Sequence, residues 1–408
     1  MTTLPSLAGA DWLKRPQTQA VFAALLAAGH EARAVGGCVR NALMGMPVSD
    51  IDIATTALPG ETVAAVTATG IEAIPTGIAH GTITVVADGK PFEVTTLRRD
   101  VSTDGRRAIV AFSRDWAEDA SRRDFTMNAL YCSVDGTVYD PLGGYGDVKA
   151  RRVRFIGEPA ARISEDYLRI LRFFRFHAAY GVGDLDKPGA LECVRLRGGL
   201  SQLSGERVGA EMLKLLAAPF AVAAIVEMFE LGLLVDVLAA APRMVRFARL
   251  VALDQGSPDA TLRLAALAVH VPEDAERLAD RLRLSGEQRA ILALAGPQLV
   301  IDASDREARV ALYRLGADDY ARRVLLDWAG SGDPVSHDGW RRLATVPVRA
   351  PIPQFPISGR DLVALGLPPG PAVGVLLRKL TDSWIASDFN LNRTDLLTLT
   401  TKIHLKNL

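Results

Sequence analysis

Asp50 and Asp52 stand two residues apart in Ser-Asp-Ile-Asp-Ile-Ala-Thr, a run that alternates polar and apolar. A period of two predicts a strand with both carboxylates on one face and Ile51 and Ile53 on the other, turned to the core. Adjacent carboxylates repel, so a cation is expected between them. Mg²⁺ suits the pair, because it takes hard carboxylate oxygens and keeps positions open for phosphate. Upstream lie Gly36-Gly37 and, three residues past the pair, Arg40. Glycines let backbone N–H groups approach an anion and a following helix N-terminus carries partial positive charge, which makes Gly36, Gly37 and Arg40 a candidate triphosphate site. Alone, an Asp-x-Asp is also the mark of a solvated strand or turn. In company with Gly-Gly and Arg it points to metal-assisted phosphate chemistry.

The elements that must position these residues follow from the local pattern. The apolar run ending at Val35 predicts a short strand, Cys38–Gly45 a helix of one or two turns stopped by Gly45 and Pro47, and Pro16–Ala28 an amphipathic helix packed beneath the strand. After the Asp-x-Asp strand, Pro59 suits the first turn of a helix. Short β-type runs then follow, joined by turns at Gly77 and Asp88-Gly89. Glu93 lies in the last of them between Phe92 and Val94, where it would complete a three-acid cluster with Asp50 and Asp52. Arg98–Asp119 is polar, rich in both charges and without periodicity, and is expected to be a long loop, a mobile lid near the site. A mixed sheet with helices is implied for this part, and Ala/Leu-rich helices for the remainder.

Two further stretches carry candidate chemistry. Arg122-Arg123-Asp124-Phe125-Thr126-Met127-Asn128-Ala129 admits a plain reading, with Asp124 as a helix N-cap and the arginines on the surface. Ser164–Gly181 places Leu168, Leu171, Phe174 and Ala178 on one helix face, with Ser164 as a plausible N-cap. Asp166, Arg169 and Arg172 occupy the opposite face and Glu165 lies one turn before Arg169, an arrangement an ordinary ion-paired surface helix would also show. Between Lys149 and Arg175 eight basic residues face three acidic ones, a patch suited to phosphate.

Taken together and in order, these segments resemble the DNA polymerase β superfamily and, in detail, bacterial tRNA nucleotidyltransferases and poly(A) polymerases. Val35–Thr56 resembles motif A, Arg122–Ala129 matches the R-R-D-F-T-x-N-A of motif B, and Asp140–Gly157 is similar to the motif C hinge. Glu165–Arg172 looks like motif D, and Leu200–Leu216 like motif E, a neck helix capped by Ser204. Pro356–Ile385 is similar, more loosely, to the C-terminal region of these enzymes. The resemblance implies that Arg123 contacts the nucleotide, that Asp124 and Asn128 arrange the ribose pocket, and that Asp166 and Arg169 read the incoming base. Arg172 and Arg175 would meet the triphosphate or stack on the base. Chemistry agrees with the base-reading roles: cytosine and adenine each offer an amino donor beside a ring acceptor, which an accepting carboxylate and a donating guanidinium satisfy. Uracil and guanine would turn a carbonyl oxygen toward the carboxylate, leaving polar groups unpaired. Asn41 departs from the family, which more often has Asp there.

Length and composition bound the rest. The 408 residues are too many for one ordinary core, and no run of about 18 uncharged apolar residues is present. A secretory signal is not evident, so a cytoplasmic protein is expected. The three cysteines, Cys38, Cys132 and Cys193, lack metal-site or disulfide spacing. Equal numbers of basic and acidic residues, 47 each, argue against non-specific coating of nucleic acid. With six histidines and a single His-Asp pair, His337-Asp338, a second metal cluster of phosphohydrolase type is not indicated.

The expected architecture is α+β: a polymerase-β-like nucleotidyltransferase head (1–148), a helical neck with the base-reading helix (149–225), and an all-α body and tail for tRNA (226–408). The resemblance implies template-independent addition of C, C and A to tRNA 3′ ends from CTP and ATP. Asp50 and Asp52, helped by Glu93, would hold two Mg²⁺, and no membrane would be involved. The runner-up is a bacterial poly(A) polymerase, against which Thr76–Val86 resembles the tRNA enzymes. The other alternative is an inactive RNA-binding relative, against which the intact carboxylates stand. Oligomeric state is not legible.

Overall fold

The computed structural model describes residues 4–104, 107–254, 258–296, 305–349 and 351–405. The chain forms two compact units, Met1–Pro242 and Arg243–Leu408. In the first, α1 (Asp11–Lys14) and α2 (Pro16–Ala27) precede β1 (Ala32–Val35), α3 (Gly37–Leu43) and β2 (Asp52–Thr55). Then come α4 (Pro59–Thr67), β3 (Glu72–Gly77), β4 (Thr82–Ala87), β5 (Lys90–Thr96), β6 (Arg98–Asp104) and β7 (Arg107–Phe112). Next are α5 (Trp116–Ser121), β8 (Tyr131–Cys132), β9 (Val138–Tyr139), α6 (Tyr145–Ala150), α7 (Pro159–Glu165) and α8 (Leu168–Tyr180). The unit ends with α9 (Lys187–Arg195), α10 (Gly205–Leu216), α11 (Ala221–Glu230) and α12 (Leu233–Leu238).

Seven strands form one sheet in the order β3-β4-β5-β2-β1-β8-β9. The β2–β5 pair is parallel and the others are antiparallel, so the sheet is mixed as expected. Its centre is apolar for a simple reason: β1 and β2 sit between other strands, and Ala34, Ile53 and Ala54 are buried there. Val35, Ala54, Leu97, Ala120, Ala129, Tyr131 and Ile156 form a core cluster that joins the sheet to the segments after it.

The segment expected as a loop over Arg98–Asp119 is instead a two-stranded hairpin, β6 with β7, followed by helix α5. The expected lid therefore has regular backbone pairing, with a register shift between Asp100 and Ser102, and residues 105–106 lie outside the described residues. Charged residues hid the pairing, since a two-stranded ribbon need not bury a whole face and so need not alternate cleanly.

Among the described residues of the second unit the regular elements are all helices. Its long helix, Asp305–Ser331, breaks at Gly316, whose φ of 78° and ψ of 174° no helix contains. One core cluster surrounds Tyr320, and another gathers Leu362, Leu380, Trp384 and Leu396 from the last helices. The basic helix expected near the C-terminus is Pro371–Ala386, with Arg378 and Lys379 within it. Among the described residues no helix is long and apolar enough to cross a membrane.

Candidate active site

Strand register brings the acids together. Asp52 opens β2, where it is paired with Val35 of β1 on one side and with Glu93 of β5 on the other. Asp50 precedes the strand rather than lying in it, yet the alternation holds: Asp50 and Asp52 are exposed, while Ile51 and Ile53 are buried. Ser49 donates its hydroxyl to the Asp50 carboxylate at 2.9 Å. Although Asp52 reaches solvent, the protein mass around it, with Glu93 and Asp50 nearby, pushes its carboxyl up to about 6, against the pull of Arg123. Such crowding of acids suits a hard divalent cation. Among the described residues no three acids, histidines or cysteines stand close enough to form a finished metal group.

Gly36 turns the chain from β1 into α3 with φ +73°, and a Cβ there would stand 3.6 Å from the Arg123 guanidinium. The positive φ is what asks for glycine here, since a Cβ would meet only ordinary contacts. Arg123 is aimed by Asp119, a residue the sequence reading did not single out. The buried Asp119 carboxylate accepts from Arg123 Nη2 at 3.0 Å, from Arg122 Nε at 3.1 Å and from the Tyr131 hydroxyl at 2.8 Å. Burial alone would raise its pKa, but the two guanidiniums and the phenol hold it below the usual carboxylate range. α5, which carries Asp119, is capped by Asp115 accepting from the Ala117 N–H at 2.8 Å.

A second chain of polar contacts crosses the site. Arg172 Nε donates to Asp124 at 2.9 Å, and the other Asp124 oxygen accepts from Asn128 Nδ2 at 3.0 Å and from the Phe125 N–H at 2.8 Å. Burial again opposes ionisation of Asp124, and Arg172 and Asn128 outweigh it, so the carboxyl lies below its ordinary range. Asp124 is therefore no helix N-cap. Arg40, buried in the first turn of α3, donates to Asn128 Oδ1 at 2.5 Å and to the Tyr180 hydroxyl at 2.7 Å. Asn41 accepts from Arg40 Nε at 3.1 Å and Nη2 at 2.9 Å, so the amide in place of the family's more usual Asp still orients the arginine.

The neck departs from the expected single helix. Ser164 lies in the last turn of α7, its hydroxyl donating to the Ala160 carbonyl at 2.8 Å, so it is not an N-cap. Asp166 sits in the break before α8 with extended backbone, φ −156° and ψ 105°, and its Oδ1 accepts from the Leu168 N–H at 3.1 Å. A local side-chain bond of this kind competes with helix continuation, which is why the chain turns here. Arg169 pairs with Glu165, as the spacing predicted, and also donates to the Arg162 carbonyl at 2.7 Å. Asp166 pairs with Arg207 of α10, not with Arg169. Arg175 Nε meets the buried Glu211, also of α10, at 2.5 Å. Ser204 occupies the N-cap position of α10 without a side-chain capping bond.

These residues line one cavity of about 510 Å³. Gly36, Gly37, Arg40, Asp52, Arg123, Asp124, Asn128, Asp166, Arg169, Arg172 and Arg175 all contribute to its wall, whereas Asp50 and Glu93 do not. Arg122, Phe176, Tyr180 and Arg207 line it as well and were not singled out from the sequence. Phe176 and Tyr180 had a signal, since they continue the helix face of Arg172 at i+4 and i+8. Arg207 and Asp119 had none, because their roles depend on contacts between distant elements.

Comparison with known proteins gives the family and the fold. Residues 32–154 match the Poly A polymerase head domain, and residues 185–242 match the probable RNA and SrmB-binding site of polymerase A. The chain is 35% identical to the human CCA tRNA nucleotidyltransferase 1, mitochondrial, over 90% of its own length and 86% of that protein's. It is 31% identical to a CCA-adding enzyme of Lactobacillus delbrueckii, over 91% and 93% of the two chains. The chain belongs to the CCA-adding tRNA nucleotidyltransferase family. Among solved structures, the Bacillus stearothermophilus CCA-adding enzyme in complex with CTP superimposes with a TM-score of 0.74 at 28% identity, covering 96% of this chain and 99% of that one. A Thermotoga maritima CCA-adding enzyme complexed with tRNA_CCA shares the fold, with a TM-score of 0.65 at 16% identity. CCA-adding nucleotidyltransferases generally need a divalent metal, and the acids at β2 and β5 are donors of the right chemistry for one.

Proposed function

We propose that this chain adds C, C and A to the 3′ end of tRNA from CTP and ATP and releases pyrophosphate. One observation carries the proposal: a single polar cavity is lined both by Asp52, beside Glu93, and by Asp166 and Arg169, so phosphate chemistry and base choice meet in one place. Membership in the family supports it.

Asp50 and Asp52, helped by Glu93, would hold Mg²⁺ once the ion draws their carboxylates closer than they stand here, and when bound it would supply positive charge to the reacting phosphate oxygens and to the attacking hydroxyl. The Gly36 and Gly37 backbone leaves room for the triphosphate, while Arg123, fixed by Asp119, and Arg175, fixed by Glu211, offer it donors. Asp124 and Asn128, tied to Arg172 and Arg40, form the wall on which the ribose would rest. Asp166 accepts from the amino group of C or A, and Arg169 donates to the neighbouring ring acceptor. In the reaction the tRNA 3′ oxygen bonds to the α-phosphorus as the bond to pyrophosphate breaks.

Residues 1–148 act as the catalytic head and 149–225 as the base-reading neck, and 226–408 hold the tRNA by shape and backbone. The working compartment is the cytoplasm, although the mouse and human relatives are mitochondrial by name.

Incorporation of each of the four nucleoside triphosphates into tRNAs ending before CCA, after C and after CC tests the reading. Two C and one A followed by a stop, abolished by Asp52→Ala, is the expected result. Long A tails on any RNA would replace it with poly(A) synthesis, and no incorporation at all would leave only RNA binding.

A further inference from the structure

We propose that Arg207 determines base choice by positioning Asp166. This rests on the base-reading role given to Asp166 above and extends it to a residue in another helix.

Asp166 lies between helices, so no regular backbone fixes its side chain. Two contacts do. Oδ1 accepts the Leu168 N–H at 3.1 Å, and Oδ2 accepts Arg207 Nη2 at 2.6 Å, a charge-assisted bond across from α10. Both side chains are partly exposed, at 26% for Asp166 and 33% for Arg207, and both line the cavity, so the pair faces the space where a base would sit. The other charges nearby are already committed: Arg169 to Glu165, Arg172 to Asp124, and Arg175 to Glu211. Arg207 is the cation bonded to Asp166, whose charge is also felt, at longer range, by Arg172.

The consequence concerns discrimination. Rejection of U and G requires that the carboxylate cannot move aside when a carbonyl oxygen is presented to it. A carboxylate held at both oxygens must face the carbonyl and pay for the unmatched acceptors. Held only by the Leu168 N–H, at one oxygen, it is free to turn its other oxygen away from the base, and the penalty for the wrong base falls. Arg207 therefore acts on the selected ratio of nucleotides rather than on the reaction itself.

The test measures kcat/KM for CTP and UTP on tRNA ending before CCA, and for ATP and GTP on tRNA ending in CC. Wild type is compared with Arg207→Met, Arg207→Gln, Arg207→Lys and Asp166→Ala. The CTP/UTP and ATP/GTP ratios are expected to fall by at least about tenfold in Arg207→Met and Arg207→Gln. Arg207→Lys, which keeps the charge, is expected to retain most of the selectivity. Equal loss of kcat/KM for right and wrong nucleotides, with the ratios unchanged, would overturn the inference and make Arg207 a structural residue only. Asp166→Ala separates the two claims: if it collapses the ratios while the Arg207 variants do not, the inference alone fails. If Asp166→Ala itself leaves them intact, the base-reading role of Asp166 fails. Arg207→Gln keeps a donor and much of the volume, so the question stays open to decision should Arg207→Met not fold.

Discussion

Asp52 is the residue whose chemistry is most open to direct measurement. The protein mass around its solvent-reaching carboxyl, with Glu93 and Asp50 nearby, pushes it up to about 6, so it keeps its proton to higher pH than an isolated Asp would. A divalent cation needs the ionised form, and the two compete. With the cation limiting, activity should fall as pH drops through about 6, and raising the cation concentration should move that fall to lower pH. A profile in which the fall stays fixed at all cation concentrations would separate the titration from metal binding. The sign for stability is the reverse of the common carboxylate case: a pKa above the unfolded value means that ionised Asp52 opposes folding, so without divalent cation stability declines as pH rises from about 4 to about 6. Asp119 behaves in the ordinary sense. Removing this buried partner of two guanidiniums and a phenol in Asp119→Ala should cost about 3–5 kcal/mol in denaturant unfolding. A loss below about 1 kcal/mol would mean that Arg123 finds another partner. Asp52 was legible because a strand's period of two is written in adjacent residues. Asp119 was not, because nothing in Trp-Ala-Glu-Asp-Ala-Ser distinguishes a buried acid from a solvated one until Tyr131 is folded against it.

At the scale of elements, the site depends on the break between α7 and α8. Gly199 packs against that break so closely that a Cβ would stand 2.1 Å from the ring of Tyr167, the residue next to Asp166. Gly199→Ala should therefore lower stability by about 1–3 kcal/mol, the usual cost of overpacking, and thermal melting would detect it. An unchanged melting temperature would show that Tyr167 moves aside freely. The same region shows why some elements were readable and others were not. β4 and β5 bury one face, so their alternation appears in the sequence, while β1 and β2, buried on both faces past Asp52, appear as short apolar runs, and the Asp52–Glu93 pairing followed from two neighbouring strand patterns. The helix break did not, because Asp166, Arg169 and Arg172 keep helical spacing while the Asp166 side chain bonds the backbone ahead of it. The β6–β7 hairpin was hidden for the opposite reason, a charged ribbon showing little hydrophobic pattern even though Ala108–Phe112 is β-rich.

For the whole molecule, the division into residues 1–242 and 243–408 has a thermodynamic consequence. Each unit has its own apolar clusters, so calorimetry should resolve two unfolding transitions rather than one. The cavity is built entirely from residues of the first unit, its lining running from Gly36 to Arg207. CTP with Mg²⁺ should then raise only one transition. At a hundredfold excess over Kd the gain is about 2.7 kcal/mol, and a unit of this size gains roughly 2–4 °C per kcal/mol. A shift of about 5–10 °C is therefore expected in one peak, with the other unmoved. tRNA should raise both if the helical parts hold it as proposed. With equal numbers of acids and bases in the chain, its binding must come from local patches such as Lys149–Arg175, so affinity should still weaken steeply with salt despite zero net charge. A single peak that moves as a whole with CTP would show instead that the units unfold as one body, and ligand bound in the head would then protect the C-terminal helices as well.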